Sequence, residues 1–133
     1  MKIDHIGIAT EGIEQAARFY SEALGLKVED VEEVSEQKVR VAMLAIGESR
    51  IELLEPTSSD SPISKFLRKR GPGIHHIAIQ VEDIWRSLES LKREGAQLID
   101  EAPRTGAGGC LVAFVHPSST GGVLVELVQN HER

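Results

Sequence analysis

Ile3-Asp4-His5-Ile6-Gly7-Ile8 and Ile74-His75-His76-Ile77-Ala78-Ile79 are the two stretches on which the reading of this chain turns. They align at a constant spacing of 71 residues, and four of the six positions are identical. Each alternates apolar with polar or small residues and is rich in β-branched side chains, the pattern of a half-buried strand. A helix signal follows each. After the first, Thr10 is the expected N-cap, and Ile13, Ala16, Ala17, Tyr20, Ala23 and Leu24 fall at helical spacing before Gly25. After the second, Asp83 is the expected cap, and Ile84, Leu88 and Leu91 precede Gly95. Three strand-like stretches then follow in each half: about 27–34, 38–46 and 50–54, and about 97–100, 111–116 and 123–128. Each half reads strand, helix, three strands.

Between the halves, Pro56-Thr57-Ser58-Ser59-Asp60 reads as a loop. Ser61-Pro62 supplies an N-cap with proline at the first helical position, Ile63, Phe66 and Leu67 form a short apolar stripe, and Gly71-Pro72-Gly73 ends it. A half of this size has few apolar residues with which to stand alone. The expectation is one α+β domain over residues 1–133, with repeat 1 at about 1–55, a linker helix region at about 56–73 and repeat 2 at about 74–130. A curved sheet is expected from each repeat, with room for pairing in a homodimer.

The 133 residues carry 41% hydrophobic and 27% charged side chains, ordinary for a globular chain and unlike a disordered one. No apolar run approaches the length of a membrane helix. Met1-Lys2-Ile3-Asp4-His5 does not read as a signal or transit segment. The single cysteine, Cys110, excludes an intrachain disulfide and any multi-cysteine metal site. These readings point to the cytoplasm. A net charge of −6 argues against nucleic acid or an anionic membrane as partner.

Four side chains break apolar strands. His5 and His76 occupy the same repeat position. Glu52 interrupts Ile51-Leu53-Leu54, and Glu126 interrupts Val125-Leu127-Val128. A carboxylate inside such a strand is costly unless paired, solvated or bound to a metal. Because strand side chains alternate, Glu52 points away from Ile51 and Leu53, and Glu126 away from Val125 and Leu127. Taken singly, a strand histidine is usually structural and a strand glutamate an exposed or cross-strand partner. It is their recurrence as two His and two Glu that points to a divalent site. That set suits Mn²⁺, Co²⁺, Fe²⁺, Ni²⁺, Zn²⁺ or Mg²⁺.

Other features carry less. His75 points to the opposite face from His76 and reads as structural. His116, before Pro117, reads as a strand-end cap, and His131 as a solvated tail residue. Gly106-Ala107-Gly108-Gly109 lacks the Lys-Ser/Thr and the strand–helix setting of a phosphate loop, and reads as a close-packed or mobile loop. Cys110 has no motif around it. Lys65, Arg68, Lys69 and Arg70 make a basic cluster, solvated by default and able to meet phosphates.

These residues resemble the vicinal oxygen chelate superfamily, which shares the glyoxalase fold, and within it the methylmalonyl-CoA epimerases. The resemblance runs from Asp4-His5-Ile6-Gly7-Ile8-Ala9 to Val123-Leu124-Val125-Glu126-Leu127. Its most specific stretches are Ile51-Glu52-Leu53-Leu54-Glu55-Pro56, Gly73-Ile74-His75-His76-Ile77-Ala78, and Pro103 to Gly109 with His116-Pro117 and Thr120-Gly121-Gly122. It implies two βαβββ repeats whose curved sheets enclose a metal site, held by His5, His76, Glu126 and a fourth ligand at Glu52, where some members have Gln. It also implies an acyl-CoA substrate, a homodimer and a place in propionate metabolism. Some members carry a proton-transferring Glu on the preceding strand; here Val41 stands there, so Glu52 and Glu126 become the candidate catalytic pair. Co, Mn, Mg, Ni and Zn remain alternatives for the ion. Gln37 and Arg104 are candidates for the substrate carboxylate, and Lys65 with its basic neighbours for coenzyme A phosphates.

The reaction so implied is removal of the proton between a thioester and a carboxylate and its return to the opposite face, through an enolate that a divalent Lewis acid stabilises. Three rivals remain at this point: a glyoxalase-type isomerase acting on a thiol hemithioacetal, an extradiol dioxygenase on Fe²⁺, and a metal-free small-molecule-binding protein of the same fold.

Overall fold

The structure, a computed structural model, describes residues 1–130. It divides into two compact units, His5–His75 and Met1–Asp4 with the chain from His76 onward. His131 lies outside the described residues.

The first unit carries β1 (Lys2–Ala9, from His5), α1 (Ile13–Ala17), β2 (Val28–Val34), β3 (Val39–Ile46), β4 (Ser49–Pro56) and α2 (Pro62–Arg70). Its strand order is β2-β3-β4-β1. β1 runs parallel to β4, and β3 runs antiparallel to both β4 and β2. Alternation divides each strand between two faces. Ala42 and Leu44 of β3 and Leu53 of β4 bury against Ile13 of α1. Val41, Met43, Glu52 and His5 therefore fall on the other face. The edge strand β2 carries Glu29, Asp30, Glu32 and Glu33, charges that discourage pairing with another chain.

α1 starts differently from the sequence expectation. Thr10 does not cap it: its hydroxyl and its backbone N–H both donate to the Leu54 carbonyl, at 3.0 and 2.8 Å. Gly12 occupies the N-cap position with no side-chain cap. The first helical N–H, that of Ile13, donates instead to Oε1 of Glu55 at 2.8 Å, a partner 42 residues away. α1 then widens into π-helical turns over Arg18–Ala23 and ends at Gly25, whose φ is +92°. α2 follows its local code: Ser61 accepts from the Ile63 N–H at 3.1 Å, Pro62 opens the helix and Gly71 closes it.

The second unit carries β5 (Gly73–Gln80, from His76), α3 (Ile84–Arg93), β6 (Arg104–Thr105), β7 (Leu111–Val115) and β8 (Val125–Gln129). Its order is β5-β8-β7-β6. β5 is parallel to β8, and β7 is antiparallel to β8 and β6. Asp83 caps α3 as expected, accepting from the Arg86 N–H at 3.1 Å. Ile84 and Leu88 of α3 pack on Ala113, Val115 and Leu127, each helix side chain contributing about 1.5–3 kcal/mol of burial. His76, Phe114 and Glu126 belong to the opposite faces of their strands.

The expected strand at 97–100 is replaced. Leu98 makes only an isolated bridge to Val115, and the outer strand is the two-residue β6. The reason is Asp100. Its Oδ2 takes the Phe114 N–H at 2.8 Å, the hydrogen bond that a partner strand's carbonyl would otherwise accept. The Ile99 and Asp100 N–H groups then share the single Phe114 carbonyl, at 3.0 and 3.2 Å.

Candidate metal and active site

The parallel pairings place the two histidines and two glutamates by one rule. In the first unit Glu52 lies beside Gly7, two residues beyond His5. In the second, Glu126 lies beside Ala78, two residues beyond His76. A two-residue step returns to the same face, so each histidine shares a face with its glutamate. The small neighbours Gly7 and Ala78 leave room for the carboxylates.

The result is the same pair twice. His5 Nε2 lies 3.4 Å from Glu52 Oε1, and His76 Nε2 lies 3.0 Å from Glu126 Oε1. All four residues are buried, at 4%, 6%, 3% and 7% exposure respectively. Burial of ionisable groups at this level is rare without pairing or a metal. The distances fit a metal as well. Two ligand atoms each about 2.1 Å from one ion, at angles between square and tetrahedral, stand about 3.0–3.4 Å apart. Imidazole nitrogen with carboxylate oxygen is also a donor set that divalent first-row ions accept.

The other candidates are distributed around these pairs. Val41 is buried on β3, two residues from Met43, which lies opposite Glu52. It therefore brings an inert surface to the Glu52 face. Arg104 is exposed on β6, with Nε 3.1 Å from Asp100 Oδ1 and its guanidinium over the Phe114 ring at 5.8 Å. Phe114 in turn stands against His76, ring centroids 5.7 Å apart and planes at 84°. Arg104 is thus one aromatic ring from His76. Gln37 is half-buried at the end of an exposed turn after β2, and Lys65 is exposed on α2. Arg68, from the same helix, donates to the Ser59 carbonyl at 3.1 Å, and Arg70 stacks over Phe66 at 5.8 Å, so part of the basic cluster serves local structure.

His75 and His116 take part in local packing and capping. His75 packs edge to face on Phe66 at 5.0 Å, and His116 Nδ1 accepts from the Ser118 N–H at 3.0 Å to cap the turn Pro117–Ser119. The glycine-rich loop is close-packed at Gly106, where a Cβ would stand 2.9 Å from Val112 Cγ1. Phe114 was not singled out in the sequence. The signal that finds it is the β7–β8 register, which sets Phe114 directly opposite Glu126.

Residues 4–114 match the Glyoxalase/Bleomycin resistance protein/Dioxygenase superfamily. The human mitochondrial methylmalonyl-CoA epimerase is 40% identical over 96% of this chain and 73% of its own. An ethylmalonyl-CoA/methylmalonyl-CoA epimerase from Cereibacter sphaeroides is 38% identical over 96% of this chain and 97% of its own. Among solved structures, a Streptomyces coelicolor methylmalonyl-CoA epimerase in complex with 2-nitronate-propionyl-CoA superposes with a TM-score of 0.94, at 39% identity over 98% of this chain and 94% of that one.

Proposed function

The chain belongs to the methylmalonyl-CoA epimerases, isomerases of the Glyoxalase/Bleomycin resistance protein/Dioxygenase superfamily, and from that membership we propose that it interconverts (2R)- and (2S)-methylmalonyl-CoA. The observation that carries the reading is the twice-built buried pair, His5 with Glu52 and His76 with Glu126. His5, Glu52, His76 and Glu126 are proposed to hold one divalent ion, Co, Mn, Mg, Ni or Zn. His5 and Glu52 in one unit, and His76 and Glu126 in the other, are each buried. When bound, such an ion supplies Lewis-acid stabilisation of the charge that develops on the thioester oxygen.

The rest of the chemistry falls to the chain. The proton to be moved sits between two carbonyl groups, and its departure leaves an enolate. Glu126 is the proposed base at one face of that carbon, and Glu52 the acid that returns a proton at the other. With Val41 on the Glu52 face, β3 offers no proton carrier there, which leaves the exchange to the two carboxylates. Burial keeps water from competing for the proton. Arg104 is the proposed donor to the substrate's own carboxylate, with Gln37 a second donor, and Lys65 a countercharge for coenzyme A phosphates. Pairing of two chains and a cytoplasmic location complete the proposal; no helix among the described residues is long and apolar enough to cross a membrane.

The test is proton exchange. Metal-loaded protein is incubated with one epimer of methylmalonyl-CoA in deuterated water. Exchange at the α carbon with racemisation, lost on chelation and in Glu126→Ala, is the expected result. No exchange with any of the five metals overturns the epimerase reading and directs attention to hemithioacetal substrates.

A further inference from the structure

Phe114 is a large apolar side chain that stays half-buried while its strand neighbours enter the core. Its β7 neighbours Ala113 and Val115 are buried under α3, and Val112 is buried with Ala78 and Val128. Phe114 itself remains half-buried, on the face that carries His76 and Glu126. Its ring and its backbone N–H are engaged on several sides. Its ring stands edge to face with the His76 imidazole, at 5.7 Å. The Arg104 guanidinium lies over the ring at 5.8 Å. Asp100 closes the arrangement, one carboxylate oxygen accepting the Phe114 N–H at 2.8 Å and the other accepting Arg104 Nε–H at 3.1 Å.

We propose that Phe114 is a positioning residue: its ring fixes the plane of the His76 imidazole and seats the Arg104 guanidinium beside it. An imidazole turns about a torsion with a broad preference. An edge-to-face neighbour narrows that preference, because tilting the imidazole away from perpendicular forfeits the quadrupole attraction. The opposite register of Phe114 and Glu126 brings that neighbour to the strand position nearest the glutamate. Arg104 gains a cation–π seat on the same ring, and the Asp100 carboxylate fixes its direction. Asp100 also displaces the expected strand at 97–100, so the irregular edge of this sheet serves the same purpose. Hydrogen-bonded partners that orient a metal-ligating histidine typically affect metal affinity or activity by about 10–100-fold, and an aromatic neighbour that fixes the ring plane is expected at the lower end of that range.

The part of this inference that concerns turnover rests on the epimerase reading; the part that concerns His76 does not. The test is Phe114→Leu, which keeps an apolar side chain of similar reach and removes the ring. Three properties are measured on the full chain: the thermal midpoint, Mn²⁺ affinity by calorimetry, and kcat and KM with methylmalonyl-CoA. The expected result is a thermal midpoint close to the parent's, Mn²⁺ binding weaker by about 10-fold, and a fall in kcat larger than the rise in KM. Phe114→Tyr, which restores the ring, should recover Mn²⁺ affinity and kcat together. Parent-like Mn²⁺ affinity in Phe114→Leu overturns the proposal, as does loss in Phe114→Tyr equal to that in Phe114→Leu. If Phe114→Leu fails to fold, Phe114→Met is read by the same criteria. A parent protein inactive toward methylmalonyl-CoA would sink the epimerase reading alone, since the Mn²⁺ comparison still decides the role of Phe114.

Discussion

Oε1 of Glu55 accepts the backbone N–H of Ile13 at 2.8 Å, and so ties the first turn of α1 to the strand that carries Glu52. The second unit repeats the device: Oε1 of Gln129 accepts the Ile84 N–H at 2.8 Å, three residues beyond Glu126. In each unit the strand that holds a candidate ligand also caps the helix behind it. Orientation of the site and docking of the helix are therefore coupled.

Loss of that cap should be measurable. Glu55→Ala leaves the Ile13 N–H without its partner and also removes the Arg40 contact to Glu55 Oε2, which is 3.3 Å long. A loss of about 1 kcal/mol in urea unfolding is expected. Glu55→Gln, which copies the chemistry of Gln129, should retain most of it. Equal losses in the two variants would show that the charge, not the cap, matters.

Removing the ion should destabilise as well as inactivate. A metal that binds only the folded chain adds about 2.7 kcal/mol at 100 times its dissociation constant. Excess Mn²⁺ is expected to raise the thermal midpoint of the parent and to leave that of His76→Ala little changed. A midpoint that ignores Mn²⁺ in the parent removes the metal from the reading.

Gly106 is the position where a single methyl group should be felt. A Cβ there stands 2.9 Å from Cγ1 and 3.1 Å from Cγ2 of Val112, a buried residue. Gly106→Ala is expected to cost about 1–3 kcal/mol through overpacking. Adding Val112→Ala relieves the clash at the price of a cavity, so the double variant should be more stable than the sum of the two single losses. Simple additivity would mean that the loop moves away instead.

Acid titration should reveal the link between the turn before β3 and the loop before α2. The Lys38 ammonium and then the Ser58 hydroxyl donate to the Asp60 carboxylate and lower its pKa from 3.8 to about 2. A depressed carboxyl stabilises the fold above its unfolded value, here 3.8, and that contribution fades as pH falls toward about 2. Asp60 is solvent-exposed, so salt should weaken the effect. By NMR, the Asp60 carboxyl should titrate near 2 at low salt, and Lys38→Ala should move it up toward 3.8. An unchanged midpoint in Lys38→Ala would assign the shift to Ser58.

Much of this was legible in the residues. The duplicated Ile-x-His-Ile-x-Ile placed the strands Lys2–Ala9 and Gly73–Gln80, and alternation around Glu52 and Glu126 gave the face on which each carboxylate lies. α2 and α3 were legible for a related reason: Ser61 and Asp83 cap N–H groups two and three residues away. Contacts that short are a property of local sequence. The resemblance to the methylmalonyl-CoA epimerases came from the same motifs, and the comparisons with known proteins support it.

Tertiary structure decided what depends on distant partners. Thr10 has the chemistry of an N-cap, yet the Leu54 carbonyl claims it and Glu55 takes the capping role. Residues 97–100 alternate like a strand, yet the Asp100 carboxylate fills the Phe114 hydrogen bond and pairing passes to Arg104–Thr105. Phe114 looks like one more core residue of an apolar strand. Only the register of β7 on β8 sets it opposite Glu126 and against His76. A residue's type and its near neighbours determine what it can bond to; which distant group reaches it first is settled when the sheet closes its register.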